Sequence, residues 1–254
     1  MSNTCNEQFI KFIRSFDDGS YKNHKFYDSI TEISRKHSGK KESLIENDFE
    51  MYSLDDIKDG SKILKDNPPK TTDALYFKEN DDGKLSLYLI EFKFHNLDDP
   101  DAKDLLNAFV DEIYSSDNKK KYKCLSKDDK NDLRKIRNYY GDDVSNTLVL
   151  KPIETIRVTL PRLYEEYCNN NSDVEKINIE KYLDNIEKKY FVFVSTYTET
   201  GKFNRHKEEL ESQSTGLEKY FDRLKAGNII DHYEIKPRCD FDYFLKLEQL
   251  VDVE

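Results

Sequence analysis

The sequence predicts a single α/β domain with additional helices. Three observations point there. Segments with apolar residues at helical spacing alternate with short apolar runs of strand length. Residues 71–94, TTDALYFKENDDGKLSLYLIEFKF, have the pattern of a buried hairpin around an Asp-Gly turn. No long linker, internal repeat or low-complexity tract divides the 254 residues. The domain is read as 1–254, with the hairpin 71–94 as its core and an N-terminal helical region, 6–60, packed on it.

The elements follow in order. Residues 6–16 carry Phe9, Ile10 and Ile13 at helical spacing, and residues 24–37 carry Phe26, Tyr27, Ile30 and Ile33 in the same way, so both predict helices. DFEMYSL, 48–54, fits a strand or a helix end, and KDGSKILKDNPPK, 58–70, reads as a loop from its Gly, Asn and Pro content. After the hairpin, residues 98–114 predict a helix: Asp98 or Asp99 can cap it, Pro100 suits its first turn, and Leu105, Leu106, Phe109, Val110 and Ile113 share a face. NTLVLK, 146–151, predicts a strand. Residues 153–168 carry a helical apolar stripe, with a kink or break expected at Pro161. Residues 177–189 predict a helix and YFVFVST, 190–196, an apolar strand. A long helix over 205–227 is expected to end at Gly227 as its C-cap, followed by a strand over 229–236 and a helix over 240–250.

Composition narrows the function classes. Charged and hydrophobic residues each make up 36%, and 15 Phe with 17 Tyr argue for a packed core rather than disorder. The start of the chain lacks a basic segment followed by an apolar run, and no stretch nears the roughly 20 apolar residues of a membrane helix, so no membrane association is expected. Cys5, Cys124, Cys168 and Cys239 are scattered, which speaks against structural zinc and against a disulfide framework. The expected setting is a reducing, cytoplasmic one. The net charge of −10 counts against a surface that binds nucleic acid everywhere. Locally the balance inverts: residues 118–137 hold nine Lys or Arg against three Asp, with Lys119, Lys120, Lys121 and Lys123 clustered. That run reads either as a solvated face or as a local phosphate-binding surface.

The hairpin also carries three ionisable groups. Side chains alternate along a strand, so Leu87, Leu89, Glu91 and Lys93 share one face, and Tyr88, Ile90, Phe92 and Phe94 the other. A turn centred near Asp82 places Phe77 opposite Leu87, Leu75 opposite Leu89 and Asp73 opposite Glu91, with directly opposed Cβ atoms roughly 5 Å apart. Two adjacent carboxylates repel, and a divalent cation between them reverses the sign of that interaction. The plainer alternative is that Asp73 only begins a strand while Glu91 and Lys93 pair on an exposed edge.

PPKTTD followed by LYLIEFK resembles the core motif of the PD-(D/E)XK, or restriction-endonuclease-like, nuclease superfamily: an Asp on one strand and Glu-x-Lys on the next. The residue before Asp73 is Thr72 rather than Pro. The resemblance implies a mixed central sheet flanked by helices, of αβββαβ type, and Mg²⁺-dependent hydrolysis of phosphodiester bonds, with Mn²⁺ as a substitute. It implies Asp73 and Glu91 as metal ligands and Lys93 as the group that orients the attacking water. An acidic residue on an early helix completes many such sites; Glu32 is the preferred candidate, with Glu50 the alternative. The expected function is a metal-dependent nuclease acting on DNA. The alternatives are a nuclease-like fold used for binding or assembly, and a subunit that docks on a second copy or a protein partner through its acidic helical surface at 205–224.

Overall fold

The computed structural model describes residues 3–16, 26–36, 43–65, 68–81, 83–93, 146–194 and 218–251. The expected helix at 98–114 and the basic run at 118–137 lie outside them. The described residues build an α/β fold around six strands in chain order: β1 (Tyr27–Ser29), β2 (Glu50–Ser53), β3 (Ala74–Glu79), β4 (Leu85–Lys93), β5 (Glu187–Val194) and β6 (His232–Pro237). Strands β1 to β4 pair antiparallel; β5 then pairs parallel to β4, and β6 parallel to β5. The sheet is therefore mixed. Its central strand β4 is apolar on both faces because both are covered, as parallel pairing generally requires.

The hairpin adopts the expected register, with Leu75 opposite Leu89 and Phe77 opposite Leu87. Gly83 turns the chain at φ +74°, a conformation that costs glycine nothing, and its N–H donates to Asn80 O at 2.8 Å.

Two apolar clusters sandwich the sheet. On one face Leu75, Leu87, Leu89, Tyr190 and Val192 meet α1 (Asn3–Arg14), the long helical segment after residue 146, α6 (Ile179–Asn185) and the helical stretch 218–226. On the other, Ala74, Tyr88, Ile90, Phe92, Phe191 and Phe193 meet α2 (Ile30–Lys36) and the C-terminal helix α7 (Phe241–Leu247). This second layer is aromatic: Phe244 lies with ring centroids 4.5 Å from Phe191 and 5.3 Å from Phe193.

Several elements differ from the sequence-based expectation. Residues 24–37 are not one helix: Tyr27–Ser29 form edge strand β1 before α2 begins, so the N-terminal region 6–60 contributes two strands to the sheet. Residues 58–60 belong to helix α3 (Leu54–Gly60) rather than to a loop. Residues 146–151 are not a strand but the start of α4 (Asn146–Glu154). Pro161 does not break the next helix. A π turn, Thr155–Thr159, precedes α5 (Leu160–Asn170), and the Leu160 N–H donates to Thr155 O five residues back. The widened turn absorbs the carbonyl that the proline ring would otherwise strike. The helical stretch 218–226 does end at Gly227 as its C-cap, and the left-handed residue is the next one, Asn228, φ +56°; Ile229 N–H donates to Leu224 O and Asn228 N–H to Lys225 O, the pattern of a Schellman cap.

Candidate functional site

Asp73 is the residue before β3, and Glu91 sits near the end of β4. The pairs Leu75–Leu89 and Ala74–Ile90 carry the register on to Asp73 opposite Glu91. Both side chains point to the face that holds Leu75, Leu87 and Leu89, and both are 1% exposed. The segment ahead of Asp73 is tied down from two sides. Leu54 N–H donates to Asp73 O at 3.1 Å, Lys70 N–H to the buried Glu154 carboxylate, and Thr72 N–H to Thr155 Oγ1 at 3.0 Å. Strand β3 thus begins where α4 and its π turn hold it.

The carboxylates converge on one cation, Lys151 of α4. Its Nζ lies 2.8 Å from Asp73 Oδ1 and 2.7 Å from Glu91 Oε1. Asp73 Oδ2 accepts the Phe92 N–H at 2.7 Å, which locks the carboxylate across the hairpin. Lys93 Nζ stands 3.6 Å from Glu91 Oε1 on the solvent side, its side chain 27% exposed. Glu91 Oε2 has no hydrogen-bond partner among the described residues.

Lys151 owes its position to a proline. Pro152 lies inside α4 and has no N–H to give the Leu148 carbonyl one turn back. That buried carbonyl instead accepts the Tyr190 hydroxyl at 3.0 Å. Tyr190 is on β5, directly beside Leu89. The substitute bond fastens α4 to the sheet and sets Lys151, three residues on from Leu148, over the carboxylates.

The electrostatics follow from burial. Loss of water, and then the charge of Asp73, push the Glu91 carboxyl up to about 8, against the downward pull of Lys151 and Lys93. Burial alone would lower the Lys151 ammonium; the charges of Asp73 and Glu91 and their hydrogen bonds outweigh it and hold Lys151 protonated far above the ordinary lysine range. Tyr190 is also held well above its usual range, first by burial and then by Glu91 and Asp73.

Of the residues singled out from sequence, the structure brings Asp73, Glu91 and Lys93 together. It does not bring Glu32 to them. Helix α2 covers the opposite face through Ile30 and Ile33, and Glu32 pairs with Arg35 at 2.6 Å with its side chain 43% exposed. Glu50 does not complete the pair either. It is exposed on β2, and the Tyr52–Leu75 pairing sets it level with Phe77, toward the hairpin turn and away from Asp73. Lys119, Lys120, Lys121 and Lys123 lie outside the described residues. Sequence reasoning missed Lys151. Its only signal is a lone Lys between Leu148, Leu150 and Ile153, which identifies a buried ammonium once the segment is recognised as a helix.

Among the described residues no three His, Cys, Asp or Glu side chains gather as a metal-binding group. The pair Asp73 and Glu91 nevertheless fits a hard divalent ion, which needs only one or two carboxylates and completes its shell with water and phosphate oxygens. Two oxygens already share one cation, and a third, Glu91 Oε2, lacks a donor among the described residues. Comparison of the chain with protein-family models, with curated proteins and with solved structures finds no match. What fold and site define is therefore a class: a mixed-sheet α/β protein with two buried carboxylates and two lysines at the end of its central hairpin. Among the described residues no helix is long and apolar enough to cross a membrane.

Proposed function

We propose that this protein is a Mg²⁺-dependent nuclease that hydrolyses phosphodiester bonds in DNA. One observation carries the reading: Asp73, just before β3, and Glu91, on β4, hold oxygens 2.8 and 2.7 Å from a single cationic atom. The strand order supports it, since an antiparallel β2–β3–β4 meander followed by a helical crossover to parallel β5 is what a restriction-endonuclease-like core would have. A bound Mg²⁺, for which Mn²⁺ would substitute, supplies an acidified water and stabilises charge on phosphate. Asp73 and Glu91 would hold it. The Phe92 N–H keeps Asp73 oriented, and Lys93, the more exposed of the two lysines, donates to a phosphate oxygen or fixes the attacking water. Leu75, Leu89 and Tyr190 close the floor of the site against bulk water. The basic run that includes Lys119 to Lys123 would meet the polyanion on an otherwise acidic chain.

The test is cleavage of double- and single-stranded DNA with Mg²⁺ or Mn²⁺ by the wild type and by Asp73→Asn, Glu91→Gln and Lys93→Ala, with folding followed by circular dichroism. Metal-dependent cleavage lost in all three folded variants is the expected result; unchanged cleavage in all three refutes the assignment. The second reading is a nuclease-like fold that serves binding or assembly and turns over no substrate. The Lys151 contacts favour it, because a protein ammonium group already bridges both carboxylates. Calorimetry with Mn²⁺ separates the two, since the second predicts no binding at the carboxylates.

A further inference from the structure

We infer that Lys151 is a built-in competitor of the metal: its ammonium fills the position between Asp73 and Glu91 that a divalent ion would take, so the ion binds only as Lys151 withdraws. The inference rests on the metal-dependent reading above and adds regulation of that site by a residue of the chain itself.

Three observations support it. The first is coincidence of position. One nitrogen contacts Oδ1 of Asp73 and Oε1 of Glu91, the oxygens that two strands bring together, at charge-assisted hydrogen-bond distances of 2.8 and 2.7 Å. The second is access. The carboxylates are 1% exposed, whereas the Lys151 side chain is 13% and the Lys93 side chain 27% exposed. The two lysines form the outer layer of the site, and a cation arriving from solvent meets them before it meets an oxygen. The third is charge. With both carboxylates ionised, as metal binding requires, the two ammonium groups already balance them, and a divalent ion added without displacement would leave two uncompensated positive charges in a site closed by Leu89 and Tyr190.

The mechanics allow withdrawal without unfolding. The helix is anchored through its backbone and through Glu154, by the Tyr190–Leu148 and Lys70–Glu154 hydrogen bonds, and Leu148, Leu150 and Ile153 are buried. Among the described residues the polar contacts of the Lys151 side chain are both at its tip, on a flexible four-carbon stem. Its ammonium can swing outward while α4 stays in place, toward the position where a phosphate oxygen would lie beside Lys93. Binding of the ion and delivery of a second ammonium to the substrate would then be one motion.

The test uses the full chain with Lys151→Met, which keeps the stem and removes the charge, and measures Mn²⁺ binding by calorimetry together with the unfolding midpoint with and without Mn²⁺. The expected result is Mn²⁺ affinity about tenfold or more above wild type, the change that one lost charge-assisted contact produces, with a larger rise in unfolding midpoint on adding Mn²⁺. Adding Glu91→Gln to Lys151→Met should abolish that binding. Equal or weaker affinity in Lys151→Met than in wild type overturns the inference while leaving the metal-dependent reading intact. Binding in neither protein overturns both. Should Lys151→Met fail to fold alone, it is refolded with Mn²⁺ or with NaCl of matched ionic strength. Recovery with Mn²⁺ only supports displacement, and no recovery with Mn²⁺ overturns it.

Discussion

Replacing Glu91 with Gln removes one buried charge and keeps the shape of the side chain, so it isolates what that charge does to stability. In the folded protein the Glu91 carboxyl is pushed from its ordinary 4.5 up to about 8 by burial and by Asp73. The folded state therefore holds a proton that the unfolded chain releases. Stability from this group is complete below pH 4.5 and is lost as pH rises through about 8. One pH unit corresponds to about 1.4 kcal/mol, so the window amounts to about 5 kcal/mol at most, a large share of the roughly 5–15 kcal/mol that holds a domain folded. The assay is urea unfolding in EDTA at single-unit steps from pH 4 to pH 9. Wild type should lose stability steadily across the middle of that range. Glu91→Gln should show a flatter profile and be the more stable of the two at pH 9, where wild type carries the buried, desolvated charge of Glu91. Parallel profiles, or wild-type stability that climbs between pH 5 and pH 8, would falsify the claim that burial governs Glu91.

Two further substitutions test what supports the site. Tyr190→Phe removes only the hydroxyl that satisfies the buried Leu148 carbonyl, and should cost about 1–3 kcal/mol in urea unfolding; no change would mean that the carbonyl orphaned by Pro152 finds another donor. Phe244→Ala, at a fully buried position among Phe191, Phe193, Phe241 and Tyr88, should destabilise the protein by about 3–5 kcal/mol, read as a lower thermal midpoint, and a loss under about 1 kcal/mol would show that the second layer is not packed as described.

The hairpin was legible because two local signals agree there. Alternation assigns each residue of β4 to a face, the Asp-Gly turn limits the register, and together they place Asp73 opposite Glu91. The last two strands and the C-terminal helix were legible for the same reason, as strong periodicity within short spans. Legibility failed where one pattern served two structures. NTLVLK is a short apolar run of strand length, yet it is helical, and Leu148 and Leu150 join the apolar cluster formed with α5, β4 and β5. FYDSITEI carries helical spacing, yet its first residues pair with β2 as an edge strand. The preference for Glu32 failed differently. Helical periodicity says which side of a helix is apolar and is silent on which face of the sheet it covers; α2 covers the face that Asp73 and Glu91 do not share.

Local chemistry along the chain was enough to set two carboxylates side by side on one face of a hairpin, since alternation and turn geometry act over a few residues. Their counter-ion was beyond its reach. Lys151 meets Asp73 across 78 positions of sequence, through a helix fastened by a tyrosine on a third strand to a carbonyl that a proline left unpaired. Contacts of that range arise from how layers stack, and no local pattern encodes them.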